Sequence, residues 1–206
     1  MELEILLAGL LIGFSIAAPV GPVGVLTIRR TLNEGRLSGL ATGLGAATAD
    51  AVYGSVAGFG ITFIANLLVG QRGVLGLLGG FYLCYLGIST FLAPPRAAAP
   101  ELRAEGLWGN YLSTFFLTLT NPMTILSFTA IFAGLGPVGW GGRYQSAALL
   151  ISGVFLGSVL WWLILTEGVS TFRSRFSQTG LRWVNWVSGT IITGFGVLAL
   201  FSQLYP

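Results

Sequence analysis

The chain has 206 residues, of which 8% are charged and 54% hydrophobic, with a mean hydropathy of +0.83. A soluble domain carries about 25% charged residues, so the composition excludes that class and points to a chain that lives in lipid. The net charge of +3 comes from ten Arg with no Lys and no His. Their placement follows membrane topology and does not suggest nucleic-acid binding.

The absences exclude chemistry as well. Without His there is no Ser–His or Cys–His nucleophile pair. One Asp cannot form an aspartic-protease dyad. The single Cys84 cannot close an intramolecular disulfide. A transition-metal site would need clustered His, Cys and carboxylates. No enzyme activity, cofactor or bound metal is therefore expected.

A helix crosses the bilayer core with about 20 apolar residues, and six runs meet that length: Ile5–Ile28, Leu37–Gln71, Gly73–Pro95, Gly106–Gly142, Tyr144–Thr166 and Trp183–Pro206. The first is predicted to be a single span. It is not a signal peptide, because its first charges are Glu2 and Glu4 and it exceeds the usual apolar core. The sequence Pro19-Val20-Gly21-Pro22 should open this helix, since each Pro removes a hydrogen bond and frees a carbonyl.

The second run holds one charge, Asp50. A carboxylate in hydrocarbon costs roughly 2.5–3.5 kcal/mol on insertion scales, and is read as functional by default. Its helical neighbours Gly43, Ala46, Ala47, Gly54 and Ala57 are small, as close helix packing in a bilayer requires. Asp50 should therefore face protein or a cavity, where it could hold and release a proton and where Tyr53 could hydrogen-bond it. The competing reading is an acid that only ties two helices together.

The third run carries Gly76, Gly80, Cys84 and Gly87 on one stripe, and Cys84 reads as a packing residue. A Pro/Ala-rich linker follows, Ala93–Gly106, with four of the chain's seventeen charged residues. In the fourth run a span is predicted over about Tyr111–Ala133, interrupted at Asn121-Pro122 among polar Thr118, Thr120 and Thr124. A packing kink is the plain alternative for either Pro break. Toward the cytoplasmic end of the fifth run Trp161 and Trp162 read as interface anchors in preference to part of a cation-binding aromatic wall, and the sixth run begins near Trp183. Trp108, Trp140 and Tyr205 also lie near span ends, where amphipathic rings prefer the interface.

Two sets of three helices repeat. Superposing Pro22 on Pro122 places Leu26 on Leu126 and Thr27 on Ser127. Gly80 and Gly87 match Gly189 and Gly196, and Gly45, Ala49 and Tyr53 match Gly153, Gly157 and Trp161. Three helices per unit make the halves opposite in orientation. The expected fold is thus an all-α membrane protein of six transmembrane helices in two inverted repeats, 1–92 and 111–206, joined by a cytoplasmic linker 93–110. Arg29, Arg30, Arg36, Arg96, Arg103, Arg173, Arg175 and Arg182 fall in the odd connections, which the positive-inside rule makes cytoplasmic. Both termini then lie outside, and Arg29–Arg30 reads most simply as a topology determinant that could also draw anionic groups toward the inner mouth. Inverted repeats with broken helices are a recurring transporter architecture with a midplane site.

The stretch Pro19–Gly60 resembles the amino-terminal half of the LysE/RhtB amino-acid exporters, with a Pro-Gly-Pro-like break, a basic helix end and an Asp in the second helix. Asn121-Pro122 resembles that family's fourth-helix Asn-Pro, and Gly80–Gly87 with Tyr82 and Leu83 its third-helix Gly-x-x-Tyr-Leu. The resemblance implies export of amino acids or related metabolites across a bacterial inner membrane, driven by an ion gradient. It implicates Pro19, Gly21, Pro22, Asp50, Asn121 and Pro122. The expected partners are a small amino acid-like substrate and the lipid bilayer, without nucleic acid, and a homo-oligomer is compatible with the sequence. Two other functions remain open from the residues: a divalent metal cation exporter of the same superfamily, and a non-transporting scaffold subunit.

Overall fold

The computed structural model describes residues 2–19, 21–58, 70–94, 104–121, 124–125, 127–128, 144–172 and 177–204. The described residues are helical, with no strand among them. Among the described residues the helices with defined bounds are α1 (Glu2–Ala17), α2 (Pro22–Glu34), α3 (Arg36–Gly58), α4 (Arg72–Leu92), α5 (Ala104–Thr120), α6 (Tyr144–Phe172) and α7 (Gln178–Leu204).

The first run is not one span. α1 stops at Ala17 and α2 starts at Pro22, and the two axes diverge by 79°. Pro19 has no N–H to continue α1, while Pro22 suits the first helical position, where the donor would be unpaired anyway. α2 also runs past the apolar stretch to Glu34, so Arg29 and Arg30 are helical and not part of a connection. Gly35 alone separates α2 from α3, with φ 104° and its N–H bonded to the carbonyls of Arg30 and Thr31. A side chain would be strained at that φ.

α4, α6 and α7 are each long and apolar enough to cross a membrane, and α1 with α2 would make a fourth, broken span. The exposed side of α4 carries Val74, Leu78, Phe81, Tyr85, Ile88 and Leu92, spaced alternately by four and three residues. That is a helical stripe of the kind lipid covers, and the molecule is a multi-pass membrane protein. α3, at 23 residues, is long enough to span at 1.5 Å per residue. It is packed by α2, α5 and α6, so its many Gly, Ser and Thr face protein.

Glycine sets two close crossings. A Cβ at Gly9 or Gly13 would strike the backbone of α6 at Leu150 or Val154, and one at Gly157 would strike α1 at Leu10. Rising numbers meet rising numbers, so α1 and α6 run parallel. In α4 and α7, Gly80 meets Gly196 and Gly87 meets Gly189, so that pair is antiparallel. Between these pairs an apolar core gathers Leu26, Ala46, Ala47, Leu83, Leu117, Trp162 and Ile192.

Candidate functional site

The broken first helix builds one wall of a polar cavity. Gly21 caps α2 in an extended conformation, φ −103° and ψ −166°, and no side chain caps its end. The first N–H groups of a helix have no intrahelical acceptor and carry partial positive charge, and Val23 and Gly24 line the cavity beside Pro19, Gly21 and Pro22. Ile16 and Ala17 of α1, Asp50 and Ala46 of α3, Thr118 of α5, Asn121 just past the end of α5, Thr124, and Trp162 of α6 complete it. Its volume is about 60 Å³, room for a few waters by the roughly 10–15 Å³ that one requires.

Asp50 is 3% exposed. Its Oδ2 accepts a hydrogen bond from Ser158 Oγ at 2.7 Å, and Ser158 Oγ accepts one from Trp162 Nε1 at 3.1 Å. Ser158 and Trp162 are one helical turn apart on α6, so both reach the same point of α3. Tyr53 gives its hydroxyl proton not to Asp50 but to the Leu119 carbonyl, at 2.6 Å, and stacks on Phe128 at 5.1 Å between centroids. The reason lies in α5, which ends at Thr120 and leaves its last carbonyls without intrahelical donors. Tyr53 serves Leu119, and the Asn121 N–H serves Thr118 at 3.3 Å. Thr118 Oγ1, buried in the cavity wall, has no hydrogen-bond partner among the described residues.

Of the residues expected from sequence, Pro19, Gly21, Pro22, Asp50 and Asn121 converge on this cavity. Tyr53 lies behind it, and Pro122 lies outside the described residues. Trp162, read as an interface anchor, is 5% exposed and lines the site. Its partner Trp161 packs edge-on against Phe14 at 5.5 Å. Ser158 escaped notice as a common small polar residue, although one step beyond the Gly157 match lands on it opposite Asp50.

Arg30 is the other surprise. It is 6% exposed, and its Nη1 donates to Thr42 Oγ1, the Asn110 carbonyl and Thr114 Oγ1 at 2.9–3.1 Å, its Nη2 to Ser113 Oγ at 2.9 Å. A basic pair at the end of an apolar run gives no sign of burial. The helical register through Glu34 was the missing signal.

A larger groove, about 290 Å³, runs between α4 and α7 along Ile88, Phe91, Gly189 and Thr193. It has no ionisable lining residue, and Thr193 gives its hydroxyl proton to the Gly189 carbonyl. Among the described residues no group of three or more His, Cys, Asp or Glu could hold a metal ion.

Known proteins resemble the chain over nearly its whole length. YcgF of Bacillus subtilis (strain 168), provisionally described as an amino acid efflux protein, is 30% identical over 199 residues, 94% of each chain. The threonine efflux protein of Escherichia coli (strain K12) is 21% identical, covering 89% of this chain and 91% of that one. The lysine exporter LysE of Corynebacterium efficiens is 24% identical, covering 95% and 97%. No solved structure matches the chain. The family model of the LysE type translocator matches residues 14–203, and the chain belongs to that family.

Proposed function

We propose that the protein is a secondary transporter that exports amino acids or related small metabolites across a bacterial inner membrane by alternating access, driven by an ion gradient. The observation that carries this reading is the meeting of the Pro19–Pro22 break, Asp50 and Asn121 on one polar cavity. The α2 N-terminus suits a substrate carboxylate, as helix N-termini suit anions generally, and Asp50 suits its ammonium group. A single carboxylate can hold an ammonium or a proton but not both. Exchange between the two would couple export to the gradient. The names of the relatives, for amino acid efflux, threonine efflux and lysine export, support the substrate class.

The architecture we propose has six spans, as inverted repeats 1–92 and 111–206 around a cytoplasmic linker 93–110, with both termini outside. The crossing contacts support it. Under the sequence match, Gly80 corresponds to Gly189 and Gly87 to Gly196, yet each meets the other's counterpart. Such reciprocal contact is the mark of a two-fold relation. Extending the match of Gly45 with Gly153 places Ser158 at the counterpart of Asp50, and these two bond to each other.

Purified protein in proteoliposomes loaded with single amino acids tests the function. Gradient-driven efflux of at least one is expected, and Asp50→Asn should reduce it tenfold or more. Efflux that survives this substitution unchanged removes Asp50 from coupling. A wild type that carries none of them refutes the reading.

A further inference from the structure

The geometry points to Arg30 as a receptor for the substrate's carboxylate on the cytoplasmic side of the Asp50 cavity, a station before the site itself. The inference rests on the export reading and its topology. Arg30 lies eight residues beyond Pro22 on α2, about 12 Å at 1.5 Å per residue. Its four hydrogen bonds all go to neutral oxygens, those of Thr42, Asn110, Thr114 and Ser113. Among the described residues it forms no ion pair. The acid one turn on, Glu34, lies 3.9 Å from Arg29 and accepts from Ser38 and Asn110 instead. Glu34 acts on the Arg30 charge only through space; a buried guanidinium whose donors meet no carboxylate is costly, and a carboxylate is the ligand its planar fork fits best.

Two features place this group on a route and not merely in a strut. Thr114 and Thr118 share one face of α5, four residues apart, and Asn121 follows three residues on, just past the helix end. They lead from the guanidinium to the cavity, where the Thr118 hydroxyl is buried without a partner among the described residues. Leu26, between Pro22 and Arg30 on α2, and Leu117, between Thr114 and Thr118 on α5, are packed in the core at 1% and 0% exposure. A charge-assisted bond is roughly twice as strong as a neutral one, so an arriving carboxylate would displace the hydroxyls of Thr114 and Ser113. Those bonds tie α2 to α5. Occupancy and opening would then be linked, because the ligand takes the donors that hold the closed state.

Inverted membrane vesicles, with the cytoplasmic face outward, test this. Uptake of radiolabelled L-alanine, L-threonine and L-lysine is measured against competition by the matching amides, which lack the carboxylate. Arg30→Gln should raise KM for the transported amino acid tenfold or more and leave inhibition by its amide within twofold of wild type. Equal shifts for acid and amide, or a change in maximal rate alone, would mark Arg30 as a strut and overturn the inference. Thr114→Val keeps the charge and removes a competing acceptor, so it decides the matter if Arg30→Gln does not fold. A KM lowered about threefold is expected, and one unchanged or raised overturns the proposal. Loss of transport in Asp50→Asn alongside an unselective Arg30→Gln leaves the export reading standing. A wild type that transports nothing removes both.

Discussion

The hydroxyl of Ser158 stands between an indole N–H and a carboxylate, and that order fixes where its proton points. Indole nitrogen only donates, so Ser158 Oγ accepts from Trp162 and must give its own hydrogen to Asp50 Oδ2. One carboxylate oxygen is thereby pinned, and among the described residues the other has no hydrogen bond. Bonds to charged groups contribute about 1.5–3 kcal/mol, and a tenfold change in affinity is about 1.4 kcal/mol. Ser158→Ala should therefore raise KM for the exported amino acid about tenfold. Trp162→Phe, which keeps a ring but loses the donor, should raise it two- to threefold. The dependence of proteoliposome efflux on internal substrate concentration reads both, and an unchanged KM in each would reduce the hydroxyl to packing. Asp50 was legible in the sequence as a buried acid because its helical neighbours are small, so that it had to face protein or a cavity. Its partner was not, because a serine in a membrane helix carries no comparable cost and only the fold brings α6 to α3.

Helix boundaries were legible where the chemistry of one residue decides them and obscure where packing does. The Pro19–Pro22 break could be read as an opening, but not as a 79° turn into a separate helix. That angle depends on where α2 finds its neighbours, α3, α6 and α7. Charge misled at the other end of α2, since Arg29 and Arg30 looked like loop residues until their hydrogen-bond acceptors, on α7 for Arg29 and on α3 and α5 for Arg30, were in view. Glycine is similar, because the sequence shows a stripe but not which members touch. The structure separates them. A Cβ at Gly13 would fall on the Val154 carbonyl of α6, whereas one at Gly168 on α6 meets nothing within 4 Å. Overpacking costs about 1–3 kcal/mol, and Ala exceeds Gly in helix propensity by about 0.8–1.0 kcal/mol. At about 2–4 °C per kcal/mol for a chain of this size, Gly13→Ala should lower the melting temperature in detergent by several degrees. Gly168→Ala should hold or raise it. Equal effects at the two positions would mean that α1 and α6 do not cross so closely.

At the scale of the molecule, charge and symmetry make one joint demand. Two units of three helices cannot repeat without inverting, and inversion would put corresponding connections on opposite faces. The Arg excess nevertheless collects in the connections predicted to be cytoplasmic and in the helix ends beside them, as membrane orientation and not the repeat would require. Under the proposed inversion Asp50 and Ser158 would be counterparts; they bond to each other, and only one is an acid, since two carboxylates so close could not both be ionised. The orientation can be tested directly. In a Cys84→Ser background, Leu3→Cys and Ser202→Cys mark the two ends, both exposed, and Ala104→Cys marks the linker side. A membrane-impermeant maleimide applied to spheroplasts should label the first two without lysis and the third only after it. Labelling of all three from one side would break the six-span inverted arrangement. Labelling of Ala104→Cys alone in unlysed spheroplasts would keep the repeat but turn it over, placing Arg30 on the outer side of the cavity and reversing the order of the two polar levels.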